Sequence, residues 1–171
     1  MLRRDLFLSI IIFALLFIFQ EAAINQIHLP FSGFNIVMIA ALTWSAQSSP
    51  ESATVTGFIS GIFLDLMPSN DAPFGLWTLT MIIAAYAIAY FGASDEAALA
   101  NPFGLVTMVA TTVVLAQLFY LMAGLLFGLN FGSWLQMLRT LVGIGLWSGI
   151  VTPIILPFIK RVKAILYTSS L

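Results

Sequence analysis

The sequence predicts an all-α integral membrane protein, a bundle of six spanning helices, and three observations carry that prediction. The chain has 171 residues, 61% of them hydrophobic and 8% charged, with mean hydropathy +1.06; a soluble domain carries about 25% charged residues. The apolar residues gather into six runs, most of them near the roughly 20 residues that a helix needs to cross the hydrocarbon core. The gaps between the runs hold turn residues and no room for a soluble domain.

The first run covers about 6–23 and follows Arg3 and Arg4. No small-x-small cleavage pattern precedes a polar region, so it reads as a retained span rather than a signal peptide. The second covers about 31–46, between His28-Leu29-Pro30 and Ser48-Ser49-Pro50-Glu51. The third, about 53–67, gives a helix of only roughly 22 Å and contains Thr54, Thr56, Gly57, Ser60 and Gly61. Such a segment suits a bundle interior better than lipid. The fourth covers about 73–91 and is followed by Ser94-Asp95-Glu96 and Asn101-Pro102. The fifth covers about 103–127, and the sixth about 135–159 after Leu129-Asn130-Phe131-Gly132.

Charge sets the orientation and excludes several functions. Arg3 and Arg4 precede the first span, and Lys160, Arg161 and Lys163 follow the last. They read as topology anchors that hold both termini in the cytoplasm, which requires an even number of spans. A net charge of −1 argues against a nucleic-acid partner. The absence of cysteine excludes disulfides, thiolate catalysis and thiolate metal sites. The lysines sit near the C-terminus and His28 is the sole histidine, so no base is placed to activate a serine. The carboxylates are too scattered for a metal site. No enzyme and no cofactor are expected.

The most informative stretch is Gly57-Phe58-Ile59-Ser60-Gly61-Ile62-Phe63-Leu64-Asp65. Gly57, Gly61 and Asp65 stand at successive i+4 positions and share one helical face. The glycines admit a close helix backbone, and an acid in such a segment should face protein rather than lipid. Two arrangements follow. Gly57, Gly61, Asp65 and Gly75 form either a packing seam or a groove for a partner's helix. Asp65 and Arg139 lie at matched depth in the third and sixth spans: either they pair, directly or through water, or Arg139 snorkels to headgroups and Asp65 caps the turn at 68–71. Pro153 and Pro157 are expected to kink the last span and splay its basic end. Spacings at Gly124/Gly128 and Gly145/Gly149 read as packing within the chain.

Gly57-Phe58, Gly61, Asp65 and Gly75, with Leu79 and Tyr86 on the fourth span, resemble the bacterial rod shape-determining protein family MreD. The proline-bearing last span and its tail, Pro153 through Lys163, are similar as well. Members of that family are often basic after the fourth span, where this chain has Asp95 and Glu96. The resemblance implies a non-enzymatic scaffold of the bacterial cytoplasmic membrane. It implies work with the single-span protein MreC and, indirectly, with MreB, RodA and a class B penicillin-binding protein in peptidoglycan synthesis. The family is also similar to the substrate-binding subunits of energy-coupling-factor transporters. That likeness supports six helices and supplies the alternative, a membrane-embedded subunit that binds a small molecule, with outer loops 28–34 and 68–73 as a lid.

Overall fold

The computed structural model describes residues 2–24, 26, 33–68, 72–94 and 101–168, with side chains described between 10 and 164. Within these residues the chain is helical, with no strand. The helices are α1 (Leu2–Phe19), α2 (Ile36–Ser45), α3 (Pro50–Asp65), α4 (Leu76–Ser94), α5 (Pro102–Leu126) and α6 (Trp134–Thr168). α1 continues into a π-helical turn, Gln20–Ile24. Among the described residues, three helices are long and apolar enough to cross a membrane: Leu76–Ser94, Pro102–Leu126 and the Trp134–Ala164 part of α6.

Local chemistry sets the boundaries. Asn35 starts α2 by accepting from the Met38 N–H at 3.1 Å. Ser49 caps α3, and Pro50 follows at the first helical position, where its missing N–H costs nothing. α4 begins later than residue 73 because Gly75 has φ +100°, outside the helical region. Asn101 caps α5 ahead of Pro102. Ser133 and Gln136 form a reciprocal capping box on α6, with the Ser133 N–H donating to Gln136 Oε1 at 2.7 Å. α6 runs on to Thr168, well past residue 159, because Lys160, Arg161, Lys163 and Ala164 are good helix formers. It also passes through Pro153 and Pro157 as one helix.

The shortest helix is the centre. α2 has 10 residues and a length of about 15 Å, half of what a span needs. The helix covers only 36–45 of the expected run over 31–46, since 33–35 are not helical. Val37 through Thr43 are buried on every side. Each of the other helices packs against α2. An apolar surface all round is the mark of an enclosed helix.

The most extensive contact is between α3 and α4. A Cβ on Gly57 would collide with the Met81 carbonyl and lie 2.8 Å from the Ala85 Cβ. A Cβ on Gly61 would lie 2.5 Å from the Thr78 Cα and 3.1 Å from the Trp77 carbonyl oxygen. The glycine face of α3 is thus filled by the chain's own α4, and the partner-groove alternative does not hold there. Buried hydroxyls are settled locally. Thr56, Ser60, Thr80 and Thr152 donate to carbonyls one turn back on their own helices. Among the described residues Ser45 is the exception, its Oγ buried without a partner.

Because backbone atoms of α4 stand where a Cβ would go, Gly61→Ala should cost about 1–3 kcal/mol through overpacking. Nothing lies within 4 Å of a Cβ built on Gly149. Gly149→Ala should be neutral or gain up to about 1 kcal/mol in helix propensity. Thermal unfolding of both variants in one detergent tests the contrast.

Candidate functional site

Every helix start leaves four N–H groups without an intrahelical acceptor. At α4 all four are accounted for. The Leu76 N–H donates to the Pro73 carbonyl at 3.2 Å. The other three donate to Asp65: Gly75 and Thr78 N–H to Oδ2, and Trp77 N–H to Oδ1, each at 3.0 Å. The Thr78 hydroxyl adds a fourth bond to Oδ2 at 2.6 Å. Asp65 is buried, 7% exposed, at the last position of α3. It does what a capping side chain at Gly75 would do, since glycine has none to offer. Its charge also faces the positive end of the α4 dipole.

This arrangement corrects the expected Asp65–Arg139 pair. The carboxylate is held by backbone N–H groups only 10–13 residues ahead. Arg139 is exposed on α6, which packs mainly on α5 and α2. Gly75 contributes its N–H and its left-handed turn rather than a packing face. Above the cap, Trp77 stacks on Tyr120 of α5, ring centroids 4.0 Å apart, and Tyr120 meets Phe131. The Phe131 ring lies over Gly124, where a Cβ would sit 2.5 Å from it. Gly128 turns the chain out of α5 with φ +80°.

A second ionisable side chain closes a helix, here the carbonyl end of α2. Lys163 is 8% exposed. Its Nζ donates to the Trp44 carbonyl at 2.8 Å, the Gln47 carbonyl at 2.9 Å and Ser48 Oγ at 2.7 Å. It also lies 5.0 Å from the centre of the Trp44 ring. Lys163 is therefore no lipid anchor. A carbonyl-rich helix end attracts a cation more strongly than headgroups can once the side chain is enclosed. Lys160 and Arg161 are exposed. The side chains of Arg3 and Arg4 lie outside those described, as do His28, Asp95, Glu96 and much of the two outer loops.

Gln20 escapes the reading of the sequence. Its Oε1 accepts from the Ile36 N–H at 2.8 Å and its Nε2 donates to the Phe34 carbonyl at 3.3 Å. A polar residue at the end of an apolar run is the available signal, and the side chain is buried. Gln20 meets the start of α2 and Lys163 its end, so α1 begins and α6 finishes at the same end of the bundle.

Asp65→Ala strands three N–H groups and should cost at least about 3 kcal/mol, whereas Thr78→Val removes one hydroxyl bond and should cost about 1–2 kcal/mol. Lys163→Glu opposes a carboxylate to two carbonyls and should cost about 3 kcal/mol or more. Arg161→Glu, exposed on the same turn, should change stability by less than about 0.5 kcal/mol. Thermal unfolding in detergent, followed by tryptophan fluorescence, reads all four.

Comparison with family models, curated proteins and solved structures found no match to this chain.

Proposed function

We propose that this chain is a non-enzymatic, six-helix membrane scaffold of the MreD kind. In this reading it sits in the bacterial cytoplasmic membrane with both termini inside. It binds an MreC-like single-span protein and through it serves MreB, RodA and a class B penicillin-binding protein in cell elongation and peptidoglycan synthesis. One observation supports the scaffold reading above all: two buried charges inside the bundle act as helix caps. Asp65 holds α4 and Lys163 holds α2. Their hydrogen-bonding capacity goes into the architecture of the bundle rather than toward a substrate.

The bundle offers a partner its outer helix faces. On α6, Trp134, Leu138, Val142, Leu146 and Ile150 recur every fourth residue and are all exposed. Residues at that spacing form one ridge. A single-span partner would lie along it, with packing rather than the hydrophobic effect supplying the contact energy. The glycine seam of α3 is occupied by α4, so the ridge on α6 takes the role of partner face. The alternative, a small-molecule-binding subunit, calls for a concave site with convergent polar groups. The cleft bordered by α1, α2 and α6 is almost wholly apolar.

Capture of the tagged, detergent-solubilised protein from a rod-shaped bacterium should bring down one single-span protein at fixed stoichiometry. Leu146→Ala with Ile150→Ala should reduce that yield several-fold and leave the melting temperature of the chain alone unchanged. Recovery of the chain alone, with a solute that raises its melting temperature, would overturn the reading.

A further inference from the structure

α1 and α6 flank α2 without closing over it. Between them runs a furrow of about 230 Å³. Its walls are Phe13 and Leu16 of α1 and Ile155 and Ile159 of α6, and its floor is Ala40 and Trp44 of α2. The lining reaches from the level of Ile36 to that of Trp44, and along α6 to Val162. Eight residues of helix make that about 12 Å. One leaflet of the hydrocarbon core is about 15 Å thick. The furrow therefore matches a single leaflet and is too short to seat a spanning helix of about 30 Å. It presents almost no polar surface, so its occupant needs no hydrogen bonds there.

One end of the furrow is the charged end of the bundle. Val162 is flanked by Arg161 and Lys163. Lys163 is committed to the α2 carbonyls and Lys160 lies on the far side of α6 from the lining residues, but Arg161 is exposed one turn on from Phe158 at the end of the furrow. A basic side chain at the mouth of an apolar furrow complements a ligand with an anionic head and a hydrocarbon tail. We propose that the furrow is a binding site for one acyl chain of an anionic phospholipid, with its headgroup met by Arg161. Such a site requires the chain to lie in a bilayer. It is independent of the scaffold role, and the single-span protein of the capture experiment does not enter its test.

Trp44 in the floor is a built-in reporter. The full-length protein would be reconstituted in vesicles of phosphatidylcholine containing increasing phosphatidylglycerol, with bromine on the acyl chains of one lipid at a time. The signal of Trp44 is the difference between the wild type and Trp44→Phe. Brominated phosphatidylglycerol should quench it saturably, at a mole fraction about fivefold below that required of brominated phosphatidylcholine. Arg161→Gln should abolish that preference while quenching by both lipids persists, which also shows that the variant is folded and inserted, and Lys160→Gln, on the far side of the helix, should leave the preference unchanged. Equal quenching by the two lipids in the wild type would reduce the furrow to ordinary lipid contact and overturn the proposal. Absence of quenching by either lipid would mean that protein fills the furrow, and would overturn it equally.

Discussion

A peptide N–H or C=O without a partner costs several kcal/mol in hydrocarbon, so the ends of membrane helices are where a bundle is most exposed to failure. The structure depends on how this chain meets that constraint between α3 and α4. One carboxylate at the end of α3 takes three of the four free N–H groups of the next helix, and Pro73 takes the fourth. The bond to Thr78 places the start of α4 directly over Gly61, the glycine whose missing side chain lets that backbone approach. Cap and seam are one device. The acid fixes where α4 begins, and the glycines fix how closely it lies.

The same logic organises α2. A helix of 10 residues buried on all sides needs protein partners at both ends. Asn35 and Gln20 accept at its start. At its finish, Gln47 Nε2 serves the Thr43 carbonyl, and Ser48 Oγ with Lys163 serves Trp44. Its backbone ends are thus held by α1 and α6, and its side chains by every other helix.

Much of this is legible in the sequence. Turn residues locate the helix breaks within a few positions, because Ser49-Pro50, Asn101-Pro102 and Leu129-Asn130-Phe131-Gly132 carry strong local rules. The i+4 spacing of Gly57, Gly61 and Asp65 identifies the right face of α3 and the right environment for the acid. The partner of that acid is not legible. Charge at matched depth suggests Arg139, but a neighbouring helix start offers several N–H groups at far smaller loop-closure cost. The role of Lys163 is hidden for a related reason. A basic cluster after an apolar run signals orientation on average, and nothing in it says which member turns inward. Hydropathy marks the α2 run as apolar but does not say that protein rather than lipid surrounds it.

The bond between Lys163 and Trp44 joins residues 119 positions apart. α2 emerges from the ribosome long before the lysine that closes its carbonyl end. Until then its final carbonyls have only the local bonds from Ala46, Gln47 and Ser48, without the cation. The enclosure of the second helix is therefore complete only once the last helix is in place. The last helix acts as the latch, and biogenesis of the bundle becomes a process completed from the C-terminal side.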